Sequence, residues 1–128
     1  MRALIDTHVF LWYVLNDSGL SRSASEIMNS RNHKLVLSYA SAWELAIKSS
    51  IGKLTVVGDA CSFVQKHVAL NDIDLLEIKY AHIAHIAKLP LHHRDPFDRM
   101  LAAQCLAENI PIVSADSAFD AYGIQRIW

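Results

Sequence analysis

The chain has 128 residues, of which 52% are hydrophobic and 20% charged, a composition that predicts one folded domain over residues 1–128 and excludes a disordered chain. Its formal net charge of −1 excludes binding to nucleic acid over the whole surface, so any such binding must depend on a local patch, on bound cations or on a second subunit. The longest apolar run, Val9 to Leu15, is far shorter than the roughly 20 residues of a membrane span, and Asp6 comes too early for a signal peptide, so we expect a cytoplasmic protein with no membrane segment.

Short apolar runs alternate with helical patterns along the chain. The predicted strands are Ala3–Ile5, Leu35–Leu37, Leu75–Ile78, Ile110–Val113 and Ile124–Trp128. The predicted helices are His8–Leu15, 21–30, 40–50, Asp59–Ala69, Tyr80–Lys88 and Pro96–Glu108. This alternation predicts a three-layer α/β sandwich, with a mostly parallel central sheet of about five strands flanked by helices. Ligands of such sheets bind beyond the carboxyl ends of the strands.

The two cysteines, Cys61 and Cys105, lack the spacing of a metal site or a redox pair, and each lies in an apolar helical stretch. We interpret both as reduced residues of the core.

The stretch HHRDPFDRML, residues 92–101, places two aspartates on either side of a proline at the start of a predicted helix. Asp95 is interpreted as the N-cap, Pro96 as the first helical residue and Asp98 as the third. Asp98 could take part in a capping box, but its side chain is too short to reach the N-cap amide well. We therefore expect Asp98 to face outward, where it is available for chemistry.

Three further acids follow a predicted strand or lie on the helix after it. Asp6 follows the first strand, where it or Thr7 could instead cap a helix. Glu44 lies on a helix with few other polar positions, and its structural alternative is an ion pair with Lys48. Asp116 follows the strand IPIV and could simply cap the next turn.

Together, Asp6, Glu44, Asp98 and Asp116 should meet at the carboxyl edge of the sheet. Carboxylates gathered in one crevice repel one another unless a cation compensates. Hard oxygen ligands in this number favour Mg²⁺ or Mn²⁺. The histidines do not have the spacing of a zinc helix, and we interpret them as surface or rim residues and not as metal ligands: His82, His85, His92 and His93.

Four motifs resemble those of the PIN domain family, specifically the VapC-type toxin ribonucleases of bacterial toxin–antitoxin systems. They are LIDTHVFLW, SYASAWELAIKSSIGKL, HHRDPFDRMLAAQ and IPIVSADSAFDAYGI, in the order and spacing of the family and over almost the whole chain. The resemblance places the four acidic positions of the family on the four acids named above. It also places Ser114 where PIN domains commonly carry a Ser or Thr close to the metal.

The resemblance implies a Mg²⁺- or Mn²⁺-dependent endoribonuclease in which acids hold the cation, a metal-activated water attacks the phosphate in line, and a cation stabilises the leaving oxygen. It also implies a homodimer and a cognate antitoxin that occupies the active-site groove. The segments VFLWYVL and SSIGKLTVV could supply such contacts, although core packing explains the first equally well. Basic residues near the expected crevice could contact phosphates: Lys48, Lys53, Arg94 and Arg99.

Two other functions compete with this interpretation. A phosphoacceptor signalling domain needs a lone Asp after the middle strand and a late Lys, but Ser38 follows Leu37 and no Lys occurs after Lys88. A non-catalytic PIN-like module that binds RNA or protein would not need four intact acids.

Overall fold

A single sheet of five parallel strands forms the centre of the protein, in the order β3-β2-β1-β4-β5. The computed structural model describes all 128 residues. The strands are β1 (Arg2–Ile5), β2 (Lys34–Ser38), β3 (Asp74–Leu76), β4 (Ile112–Val113) and β5 (Arg126–Ile127). The helices are α1 (Thr7–Val14), α2 (Arg22–Asn29), α3 (Tyr39–Ser50), α4 (Ala60–Leu70), α5 (Tyr80–Lys88) and α6 (Pro96–Glu108), with a 3-10 helix at Ser117–Tyr122.

Helices cover both faces of the sheet. Alternate residues of each strand point to opposite faces, so neighbouring strand residues pack against different helices. Ala3 and Ile5 of β1 belong to a core cluster with Phe10 of α1 and residues of α2 and α4. Leu4, between them, belongs to a second cluster with Leu101 of α6 and residues of the 3-10 helix. The three-layer α/β sandwich expected from the sequence is confirmed. None of the helices is long and apolar enough to cross a lipid bilayer.

The central strand β1 lies between β2 and β4, which gives the sheet a switch point at β1 and β4. The chain builds outward through β2 and β3 on one side and through β4 and β5 on the other. Loops leaving adjacent strands in opposite directions open a crevice at the carboxyl edge of the sheet. Residues directly after β1 and β4 therefore lie side by side at the bottom of that crevice.

Helix boundaries follow the capping signals closely. The helices α5 and α6 have the predicted bounds, and α6 ends at Asn109 in the left-handed region with φ 54°. The strand predicted at 110–113 is shorter, since β4 begins only at Ile112. Pro111 has no N–H to donate to a neighbouring strand, although its carbonyl accepts a hydrogen bond from the Leu4 amide at 2.9 Å.

One cysteine and one histidine differ in burial from the expectation. Both cysteines are unpaired thiols, but Cys61 is exposed and only Cys105 is buried. Because α4 buries the face formed by Ala60, Phe63, Val64 and Val68, Cys61 falls outside that stripe. His82, interpreted as a surface or rim residue, is fully buried, and its Nδ1 accepts a hydrogen bond from the Lys79 amide at 3.0 Å. His85 is exposed, as expected.

Candidate metal centre

Asp6 lies at the bottom of the crevice, directly after β1. Its backbone N–H donates to the carbonyl of Val113 in β4, and the Ser114 hydroxyl donates to Asp6 Oδ2 at 2.6 Å. Asp6 occupies the N-cap position of α1, but its side chain makes no capping hydrogen bond. The residue is only 5% exposed, and its Oδ1 is buried without a hydrogen-bond partner in the protein. The side chain therefore keeps one oxygen available inside the crevice.

Glu44 lies on α3 and is 6% exposed. The ion pair considered as its structural alternative does form, since Lys48 Nζ lies 2.9 Å from Glu44 Oε2. The other oxygen, Oε1, is buried and has no partner. An unpaired carboxylate oxygen in the interior costs free energy unless another group or a cation contacts it. The ion pair with Lys48 thus does not account for the whole side chain.

The start of α6 separates its two aspartates as the sequence predicts. Asp95 is the N-cap and accepts a hydrogen bond from the Phe97 amide at 2.8 Å, and Pro96 is the first helical residue. Asp98 makes no capping bond. Instead, its Oδ2 lies 3.0 Å from Nε2 of His93. Asp95 builds the helix end, and Asp98 projects into the crevice.

Asp116, which follows β4, uses both of its oxygens within the protein. Its Oδ1 accepts from the Ala118 amide at 2.9 Å and so caps the 3-10 helix, which is the structural alternative considered from the sequence. Its Oδ2 lies 3.1 Å from His93 Nε2. Its own amide donates to the Ser114 hydroxyl at 3.0 Å. Asp116 is thus both a cap and a member of the acidic cluster.

His93, interpreted as a surface or rim residue, has a side chain that is 23% exposed and contacts two of the four acids. One potential ligand atom from each of His93, Asp98 and Asp116 lies within 4.8 Å of the other two, while Asp6 and Glu44 join no such set of three. The histidine belongs to the loop before α6, which the 3-10 helix holds through a hydrogen bond from the His93 amide to the Tyr122 hydroxyl at 2.8 Å. No local pattern around His93 indicates this contact across the chain. His92 next to it is exposed, as expected.

Burial and mutual repulsion raise the pKa of the two central aspartates. Desolvation raises the pKa of Asp6, and the hydrogen bond from Ser114 opposes that shift only in part. Desolvation also raises the pKa of Asp98 from 3.8 to about 7, with further contributions from the negative charges of Asp6 and Asp95, while His93 opposes them. Glu44 adds to the repulsion at both aspartates. The crevice is therefore a site where negative charge is destabilised, and a cation would relieve it.

A groove of about 500 Å³ begins beside Glu44 and runs along α3 to the start of α6. Three cationic residues line it, Lys48, Lys53 and Arg94. Arg99, the fourth basic residue expected near the crevice, instead donates to the carbonyls of Leu89 and Pro90 at 3.3 and 2.9 Å. Its guanidinium connects α6 to the preceding loop and does not line the groove.

The family of the chain follows from its sequence. The family model described as PIN domain matches residues 3–125. The chain belongs to the PIN domain family. PIN domains are generally nucleases. None of the curated proteins is significantly similar in sequence.

Solved structures with the same fold cover nearly the whole PIN domain. VapBC2 from Rickettsia felis, bound to a DNA fragment from its promoter, has a TM-score of 0.71 and 12% identity, and the match covers 100% of both chains. VapBC-1 from nontypeable Haemophilus influenzae has a TM-score of 0.66 and 17% identity, covering 98% of this chain and 96% of that one. A toxin–antitoxin complex from Klebsiella pneumoniae has a TM-score of 0.59 and 12% identity, covering 90% and 87%.

The side chains of this PIN domain fit a divalent cation, the type of metal that PIN domains typically use. Two buried oxygens, Asp6 Oδ1 and Glu44 Oε1, have no partner, and burial together with nearby negative charge disfavours the charged form of Asp98. Carboxylate oxygens are the ligands that Mg²⁺ and Mn²⁺ prefer. Asp116 fits less well as a direct ligand, because both of its oxygens already accept hydrogen bonds or contact His93.

Proposed function

We propose that this chain is a Mg²⁺- or Mn²⁺-dependent endoribonuclease that acts as the toxin of a toxin–antitoxin pair. The observation that carries the proposal is the pair of buried, unpartnered carboxylate oxygens on Asp6 and Glu44, next to an Asp98 whose charge is disfavoured. A buried polar atom without a partner costs free energy, and a bound ion can offset that cost. Membership of the PIN domain family supports nuclease activity, because PIN domains are generally nucleases. The proposed role as a toxin rests on the structural likeness to the VapBC proteins.

The residues of the crevice would hold the cation and set its surroundings. When bound, the metal would polarise the scissile phosphate and lower the pKa of a water molecule. Asp6, Glu44 and Asp98 would supply the ligand oxygens after their side chains move closer, because the three do not lie within 4.8 Å of one another without the cation. The Ser114 hydroxyl fixes the rotamer of Asp6 by its 2.6 Å hydrogen bond, and Lys48 holds Glu44 from the solvent side. These contacts would leave the free oxygens aimed inward.

The groove beside Glu44 is suited to a single-stranded RNA backbone. Lys48, Lys53 and Arg94 bring positive charge close to the acidic crevice, which the net charge of −1 alone would not suggest. At its edge, the Trp43 ring is 60% exposed and is supported by the edge of Phe97 at a centroid distance of 5.0 Å. A cationic groove next to an exposed aromatic ring is the arrangement by which proteins bind single strands without reading sequence.

The expected partners are a second copy of the chain, in a homodimer, and an antitoxin. The expected compartment is the cytosol. Most of the segment VFLWYVL is used inside the molecule, since Val9 and Phe10 are buried and the following residues pack against the core. Within SSIGKLTVV, Ile51 and Val57 are exposed apolar residues, so this segment is the better candidate for a protein contact. The alternative is that the chain is a non-catalytic PIN module. Such a module would bind metal or RNA without cleaving RNA.

The test is cleavage of a mixed RNA substrate by antitoxin-free protein while Mg²⁺ and Mn²⁺ are titrated. We expect metal-dependent cleavage that Asp98→Asn abolishes without changing the fold. Asp95→Asn is the matched control, because Asn is as good an N-cap as Asp, and it should keep substantial cleavage. Absence of cleavage with every divalent metal would refute the nuclease proposal, and bound metal or RNA without cleavage would favour the alternative.

A further inference from the structure

His93 is held by polar contacts to four residues, two at the start of α6 and two at the 3-10 helix. Its backbone N–H donates to Tyr122, its Nδ1 accepts from the Asp95 amide at 3.1 Å, and its Nε2 faces Asp98 and Asp116. The ring orientation places both nitrogens on polar partners, and turning the ring over would replace both contacts with carbon atoms. The imidazole therefore has one defined orientation in the site.

The hydrogen bond from Asp95 also defines the tautomer. An amide N–H can donate to Nδ1 only if that nitrogen carries a lone pair, so the ring proton of the neutral imidazole is on Nε2. A protonated Nε2 has no lone pair to offer a metal. It is instead a donor, directed at Asp98 Oδ2 at 3.0 Å and Asp116 Oδ2 at 3.1 Å.

The same hydrogen bond explains why Asp98 is available. In a capping box, the side chain of the third helical residue accepts from the N-cap amide. Here His93 Nδ1 accepts from that amide in place of Asp98. One ring thus replaces Asp98 in capping the helix and binds Asp98 on the opposite side.

From these contacts we propose that His93 is a positioning residue that holds Asp98 from outside the coordination sphere of the cation, and that Asp116 acts through His93 instead of binding the cation itself. The inference rests on the proposed metal-dependent function and refines its ligand set. Asp98 is held through Oδ2, which leaves its other oxygen for the cation, and Asp6 Oδ1 and Glu44 Oε1 are buried without a partner. Donors of this kind orient metal ligands, and their removal typically costs tenfold or more in affinity.

A purely structural role is the competing explanation. His82 shows the same arrangement, with Nδ1 accepting from the Lys79 amide and Nε2 3.3 Å from Glu108, away from the crevice. The experiment must therefore measure the bound metal and not only stability.

The experiment is Mn²⁺ binding to the full-length protein, followed by calorimetry and by pulsed electron paramagnetic resonance, which detects a directly coordinated nitrogen. For the wild type we expect bound Mn²⁺ with no coordinated imidazole. His93→Ala should weaken Mn²⁺ binding about tenfold, whereas His93→Gln, which can place an N–H donor near the Nε2 position, should recover much of the loss. His92→Ala is the matched control and should bind as the wild type does.

A double-mutant cycle tests the role of Asp116. Asp116→Ser keeps a capping oxygen for the 3-10 helix but removes the contact with His93. If Asp116 acts through His93, the double variant should bind Mn²⁺ no more weakly than His93→Ala alone.

Each remaining outcome decides against one part of the assignment. A coordinated nitrogen that disappears in His93→Ala would make His93 a ligand. Unchanged or tighter Mn²⁺ binding by His93→Ala would overturn the positioning role, as would His93→Gln binding as weakly as His93→Ala, and additive losses in the cycle would make Asp116 an independent ligand. Failure of the wild type to bind Mn²⁺ would instead refute the proposed function, and the inference with it.

Discussion

Replacing Asp98 with Asn should stabilise the metal-free protein at high pH. The pKa of Asp98 is raised from 3.8 to about 7, chiefly by burial and by the charge of Asp6. A rise of this size in the pKa corresponds to about 4 kcal/mol disfavouring the charged form. Its side chain is 19% exposed, so solvent screening reduces this value, and we expect about 2 kcal/mol.

The sign of the effect depends on which state holds the proton. Between pH 4 and 7 the folded protein keeps a proton on Asp98 that the unfolded chain has released, so this group lowers the stability of the wild type as pH rises through that window. Below pH 4 Asp98 is protonated in both states, and the difference in stability between the wild type and Asp98→Asn disappears. Above pH 7 that difference in stability reaches its full value.

The assay is thermal and urea unfolding at pH 4 and pH 8 in the presence of a chelator. At pH 8, Asp98→Asn should raise the melting temperature by about 8 °C for a chain of this length, with little change at pH 4. Asp95→Asn is the control and should shift stability only slightly, because Asn keeps the cap and Asp95 contributes less than burial does to the raised pKa. Equal stability of wild type and Asp98→Asn at pH 8 would show that burial and nearby charge do not disfavour the charged form of Asp98.

Three further outcomes follow from the structure. Glu44→Gln should weaken Mg²⁺ binding at least tenfold by calorimetry, and unchanged affinity would make Glu44 a structural partner of its lysine only. Replacing Lys53 and Arg94 together with Ala should weaken RNA binding and lower its salt dependence by about two charges in a filter or polarisation assay, while Mg²⁺ affinity stays the same. Cys61 should react at once with a thiol reagent, whereas Cys105 should react only on unfolding, because burial raises the pKa of its thiol, and equal rates would contradict the burial of Cys105.

The start of α6 illustrates what local sequence predicts well. Asp95, Pro96 and Asp98 lie within one helical turn, so their roles as cap, first residue and non-capping acid follow from contacts between residues close in sequence. The bounds of α5 and α6 were predictable for the same reason. Hydrophobic runs covered on both faces likewise predicted the parallel sheet, and hence the edge where the acids meet.

The errors concern residues whose surroundings come from distant parts of the chain. The sequence does not predict that His93 contacts the acidic cluster, because its partners Asp116 and Tyr122 are 23 and 29 positions away. Arg99 was a candidate phosphate contact, yet it is bound to two loop carbonyls. The sequence predicts a core position for Cys61, because composition indicates an apolar helix without indicating which face is buried.

The amino-acid sequence by itself therefore determined the α/β fold, the PIN family and the four acids at the edge of the sheet. Each of these follows from motifs and hydrophobic patterns of residues close together in the sequence. Only the tertiary structure decided which of their oxygens are free. The Ser114 hydroxyl meets Asp6 across 108 positions, and His93 joins Asp98 of α6 to Asp116 at the start of the 3-10 helix. Whether a lone pair is used or available depends on such long-range hydrogen bonds, because they form only when the chain has closed around the crevice.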